Sequence, residues 1–143
     1  MSDRKIEMFL FDIYIAILKI EKISLEFSNA QDLLYDFKSW DSVIREFEII
    51  GEASKHLLKD ELSKKEYRKV VDFRNYITHA YFGIDEEQVW NIIHNNLNIL
   101  KEMVIESIIG IPTDLKHELV DAFIKDNSYL KFIVDELIKL KKR

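Results

Sequence analysis

The chain has 143 residues, 48% of them hydrophobic and 33% charged, with only three Gly and one Pro. That length and apolar fraction suffice for one core, about two-thirds of the unfolded surface being buried at this size, and the scarcity of turn formers points to helices. The absence of cysteine excludes disulfides, thiolate nucleophiles and Cys-ligated metals, and a net charge of -5 excludes a surface that attracts nucleic acid as a whole.

The opening MSDRKIEM carries no apolar stretch ahead of a cleavage site, and no uninterrupted apolar run approaches the ~18 residues of a membrane span. A soluble cytoplasmic protein without a membrane partner is expected. From Ile6 to Ile23, apolar residues recur at Ile6, Leu10, Ile13, Ile17 and Ile20, one face of a helix. Phe9, Phe11, Tyr14 and Leu18 widen that stripe, so this helix is expected to meet more than one neighbour. Residues 28–37 read as a short helix opened by Ser28-Asn29. Ser39 or Asp41 is the expected cap of a longer helix with Val43, Ile44, Phe47, Ile50, Ala53 and Leu57 inward. Gly51 lies in its middle, where glycine costs about 1 kcal/mol relative to Ala and commonly admits a close neighbouring helix.

Lys64 to Tyr81 reads as the next helix, with Tyr67, Val70, Val71 and Ile77 inward and Gly83 placed to end it. Asp85 and Gln88 suggest a capping box for a helix whose stripe runs Val89, Ile93, Leu97, Leu100 and Val104. Gly110-Ile111-Pro112 breaks the pattern. Thr113 or Asp114 is the expected cap of a segment carrying Leu115, Leu119 and Phe123, and a last amphipathic helix follows with Leu130, Val134, Leu137 and Leu140. The sequence contains no strand pattern, repeat or low-complexity tract. It predicts an all-α antiparallel bundle over residues 1–110 with a short helical extension over 111–143 packed on the same domain.

Two basic clusters stand against the acidic total: Lys64, Lys65, Arg68, Lys69 and Arg74, and Lys139, Lys141, Lys142 and Arg143 at the end. Taken alone, each reads as a solvated face. The stretch RNYITHAYFG, residues 74–83, is less easily explained. On a helix, Asn75 and His79 are i,i+4 neighbours, and Arg74 and Tyr81 share a second column. An amide near an imidazole can orient it, and a guanidinium supplies a permanent charge shaped for phosphate. His79 could exchange protons with a ribose 2′-OH or a leaving oxygen while Arg74 stabilises charge on the phosphoryl oxygens. One helix offers one such imidazole, so two paired chains would complete the acid and base roles. The same residues also fit a purely structural helix end, with Tyr76 and Phe82 as core or interface aromatics. His56, His94 and His117 lack a ligand partner at metal-binding spacing, so neither a metal site nor a cofactor is expected, and there is no Gly-rich phosphate loop or serine elbow.

The run Arg74-Asn75-x-x-x-His79-x-Tyr81, followed by Phe82-Gly83-Ile84-Asp85 and Val89-Trp90, resembles the HepT branch of the HEPN superfamily. The upstream Arg45-Glu46-Phe47-Glu48-Ile49-Ile50-Gly51-Glu52-Ala53 is similar to the Ile-Gly-Glu-Ala helix of the same family. The likeness spans about residues 4 to 108. It departs where family members often show Pro-Trp-Arg, here Glu66-Tyr67-Arg68. The resemblance implies a homodimeric HEPN bundle of four to five core helices and a metal-independent endoribonuclease toxin. Arg74 and His79 would be catalytic, Asn75 the polar residue beside the arginine, and Tyr81 the tyrosine that a minimal nucleotidyltransferase antitoxin adenylylates. A non-catalytic helical partner of a nucleotidyltransferase is the alternative it leaves.

Overall fold

The structure is a computed structural model and describes residues 6–59, 65–79 and 83–143. Among these residues all regular structure is α-helical: α1 (Ile6–Ser24), α2 (Ala30–Tyr35), α3 (Phe37–Lys59), α4 (Lys65–Thr78), α5 (Glu86–Asn95), α6 (Leu97–Ile109), α7 (Thr113–Asp126) and α8 (Lys131–Lys142). The all-α expectation holds. No helix among the described residues is long and apolar enough to cross a membrane.

α1 is the axis of the bundle. Its wide apolar stripe leads it to pack on α3 along one side and α6 along another, with α5 touching it as well. Phe11, Ile13, Ile17 and Ile20 are wholly buried. Each such side chain stabilises the fold by about 1.5–3 kcal/mol relative to its exposed state, so α1 alone accounts for a large share of the core. Phe11 stacks on Phe123 with ring centroids 5.0 Å apart, which ties α7 into the same core. α8 packs on α7 and α6, and the Lys141–Asp121 pair at 2.8 Å joins α8 to α7 at the surface.

Helix boundaries follow local chemistry, with several departures from expectation. Asn29 caps α2 by accepting from the Asp32 N–H at 2.9 Å. α3 starts before Ser39 and Asp41. Asp36 caps it, its carboxylate accepting from the Ser39 N–H at 3.3 Å, so Ser39 lies inside the first turn and Asp41 just beyond it. α7 starts at Thr113 directly after Pro112, and neither Thr113 nor Asp114 acts as its cap. The apolar stripe from Val89 to Val104 belongs to two helices, because the backbone turns at Asn96 between α5 and α6. Asp85 does cap α5, accepting from the N–H groups of Glu87 and Gln88. The reciprocal bond from Gln88 is not made, for the Asp85 N–H donates to the Tyr76 hydroxyl at 3.0 Å. α4 ends at Thr78, and Gly83 lies five residues on. Its φ of 116°, a region that favours glycine, serves the approach to Asp85 rather than the end of α4.

Candidate active site

α4 is built with two different halves. Tyr67, Val71, Phe73 and Ile77 are buried, and Phe73 meets Phe47 of α3 edge to face at 5.0 Å. The remaining faces carry Arg68, Lys69, Asp72, Asn75 and His79, all exposed. The basic cluster on this helix is therefore a solvent face, as charge spacing suggested for Arg68 and Lys69; the side chains of Lys64 and Lys65 lie outside the described residues.

Arg74 sits between these halves. Its stem crosses α3 at Gly51, where a Cβ would fall 2.2 Å from Arg74 Cβ and 2.4 Å from Cγ. Only glycine allows that crossing. The guanidinium then reaches the next residue of α3, with Nη2 2.6 Å from Glu52 Oε1. The Arg74 Nε is buried without a hydrogen-bond partner among the described residues, whereas its side chain as a whole remains 24% exposed and that of Glu52 49%. A pair this open to water is worth only about 0–1 kcal/mol. An arriving anion can thus compete for the guanidinium without a large penalty, while Gly51 keeps its stem in place.

The Asn75–His79 pairing takes a different form from the one spacing suggested. The bond between them is the helical one, His79 N–H to the Asn75 carbonyl at 3.1 Å, and no described side chain hydrogen-bonds the His79 imidazole. Both side chains project to solvent. His79 lies five positions after Arg74, about 140° around the axis. Within one chain the guanidinium therefore turns to α3 and the imidazole outward. Thr78, whose hydroxyl donates to the Arg74 carbonyl at 3.0 Å, closes the last turn between them. Tyr81 and Phe82 lie outside the described residues.

The other histidines have structural partners. His56 stacks on Phe9 at 4.2 Å, His94 donates through Nδ1 to the Trp90 carbonyl at 2.9 Å, and His117 donates through Nε2 to the Lys141 carbonyl at 3.1 Å. Among the described residues no three His, Asp or Glu converge as metal ligands. Spacing missed two features of the site. One is the contact of Gly51 and Glu52 with Arg74, signalled only by a mid-helix glycine followed by a carboxylate. The other is Tyr76, which is half-buried against Phe73 at 6.0 Å and anchors the Asp85 turn.

A family model described as ribonuclease HepT-like matches residues 13–108. The chain belongs to the HepT-like ribonuclease family, within the HEPN class. The matched segment runs from within α1 to within α6, so α7 and α8 of this HepT-like chain lie beyond it. A Methanocaldococcus jannaschii protein provisionally named an RNase is 35% identical over 116 residues, covering 76% of this chain and 91% of that one. A second protein of that organism, named likewise, is 30% identical over 112 residues, covering 73% and 97%. A Thermococcus cleftensis protein provisionally named ribonuclease HepT is 38% identical over 96 residues, covering 65% and 86%. No solved structure gave a significant match.

Proposed function

We propose that this HepT-like chain is an endoribonuclease toxin that cuts RNA without a metal, through Arg74 and His79 of two subunits lining one cleft. Family membership and the RNase names of its relatives support ribonuclease activity. The observation that carries the site is the seating of Arg74 over Gly51, which fixes a partly exposed guanidinium on the helix whose end presents Asn75 and His79. In the proposed reaction His79 of one or both subunits removes the ribose 2′-OH proton and protonates the leaving 5′-oxygen. Arg74 exchanges Glu52 for the phosphate and stabilises the charge that builds on its oxygens. Asn75 beside it adds a donor for the same phosphate. A 2′,3′-cyclic phosphate is the expected product.

In this reading a homodimer supplies the second imidazole and a groove cationic enough to offset the acidic remainder of the surface. A cognate nucleotidyltransferase antitoxin silences the toxin by adenylylating Tyr81, which adds bulk and negative charge to the motif that carries Arg74 and His79. The test is direct. Purified wild type should cut single-stranded RNA in excess EDTA and leave cyclic phosphate ends, and His79→Ala should keep its circular dichroism but not cut. Protein produced with its neighbouring nucleotidyltransferase should gain AMP that peptide mapping places at Tyr81.

One observation favours a second reading. Glu52 already partners Arg74 within the chain, as it would in a non-catalytic helical subunit that presents substrate to a nucleotidyltransferase. Stable association with such an enzyme, together with RNA left intact by wild type, would decide for that reading.

A further inference from the structure

Two amides that the helix ends leave unused line one space. Between α3, α4, α5 and the start of α6 lies a cavity of about 330 Å³, walled by Phe47, Phe73 and Leu100 and bordered by Tyr76, Gln88 and Asn96. Gln88 is placed to complete the capping box of α5, but the Asp85 N–H it would meet donates to Tyr76 instead. Asn96 occupies the N-cap position of α6 and makes no side-chain cap bond. Neither amide has a hydrogen-bond partner among the described residues. Tyr76, having accepted one N–H, keeps its hydroxyl proton to donate.

An aromatic, apolar interior edged by amides suits a flat heterocycle with donors and acceptors around its rim. RNA-binding proteins recognise unstacked bases in this way, stacking them on aromatic rings and reading their edges. The volume is at the lower end of small-molecule sites, about 300–1,000 Å³, enough for a nucleoside but not for a helix of a partner protein. Lys69 and Asp72, both exposed, are among the lining residues, so Lys69 offers a cation for backbone phosphate while Asp72 disfavours phosphate close to it. Tyr76 precedes His79 by one turn of α4, so a base held here sits on the same side of that helix as the exposed imidazole.

We propose that this cavity binds one unstacked nucleobase of single-stranded RNA next to the bond that is cut, with Gln88 and Asn96 reading its edge. The inference rests on the RNA-cutting function above and adds the feature that selects the cutting position. To test it, His79→Ala protein is titrated by fluorescence anisotropy with a short single-stranded oligoribonucleotide, either intact or with one abasic position. The titration is repeated with Gln88→Leu/Asn96→Leu and with Val70→Phe, which fills the cavity. In parallel, cutting sites in a random RNA pool are mapped for wild type and for the two sets of cavity substitutions.

The expected result is an about tenfold loss of affinity for the best-placed abasic oligonucleotide and for each cavity variant. Base preference at one position beside the cut should flatten, with thermal midpoint and elution volume unchanged. Equal affinity for intact and abasic RNA, or an unaltered preference in both cavity variants, overturns the proposal. A change in oligomeric state in place of RNA affinity also overturns it and assigns the cavity to self-association. Wild type that neither cuts nor binds RNA removes the nuclease function as well, whereas normal cutting with the same preference in the variants removes the base pocket alone.

Discussion

Helices α1 and α4 both pack on α3, and they do so with different chemistry. α1 brings a nearly continuous apolar surface, and its contact with α3 extends to the stacking of Phe9 on His56. α4 brings Phe73 against Phe47 and then an arginine over a glycine. One scaffold helix thus supports a partner whose task is burial and another whose task is to hold a charge at the surface. Stability and site placement are separated by residue, and substitutions on the two sides should fail in different ways.

The largest effects should come from the α4 side and should be confined to activity. His79→Ala is expected to slow single-turnover cleavage by about 10²–10⁴-fold, the usual weight of a general acid or base, and Arg74→Ala by about 10²–10³-fold. The thermal midpoint of His79→Ala should match wild type, since the imidazole projects into solvent. The α1 side should show the reverse. Phe11→Ala empties a site that is 0% exposed and stacked on Phe123, at a cost of about 3–5 kcal/mol in denaturant unfolding. Its cleavage rate per folded molecule should remain that of wild type.

Gly51→Ala lies on the boundary and should affect both quantities. The new methyl overlaps the Arg74 stem, so α3 and α4 must separate. The expected cost is about 1–3 kcal/mol, with a fall in cleavage larger than the stability loss explains. Wild-type cleavage in this variant would mean that the stem position is not what matters.

The smallest effect belongs to Tyr14 on α1, whose phenol is pushed up to about 12, first by burial and then by Glu136 and Glu21, against the opposing charge of Arg143. The folded state holds this proton more tightly than the unfolded chain does. Stability should therefore be flat with respect to this group below pH 10.0 and fall as pH rises from there towards about 12. Tyr14→Phe should flatten that part of an alkaline unfolding profile.

The fold was legible where a residue's neighbours in sequence decide its state. The stripe of α1, the Asn29 and Asp85 caps and the break at Gly110 to Pro112 are all local signals. The break at Asn96 was hidden because apolar spacing continues across it: Val89, Ile93, Leu97, Leu100 and Val104 keep one face although the backbone turns. Of the site, Arg74, Asn75 and His79 could be singled out by type and spacing. The Arg74–Glu52 pair and the Asp85 to Tyr76 bond could not, because each joins segments whose approach is set by packing. The unused amide of Gln88 became visible only when the reciprocal bond of the capping box proved not to be made, and that of Asn96 only when α5 and α6 proved to be separate helices.

The shared cleft is tested most directly by mixing inactive subunits. Arg74→Ala and His79→Ala chains, each carrying a different affinity tag, are combined, and the mixed dimer is isolated through both tags and assayed on single-stranded RNA in EDTA. If the guanidinium and the imidazole meet across the subunit boundary, the mixed dimer retains one intact pair and cuts measurably faster than either parent protein. A mixed dimer that forms fully and cuts no faster than its parents would contradict the shared cleft.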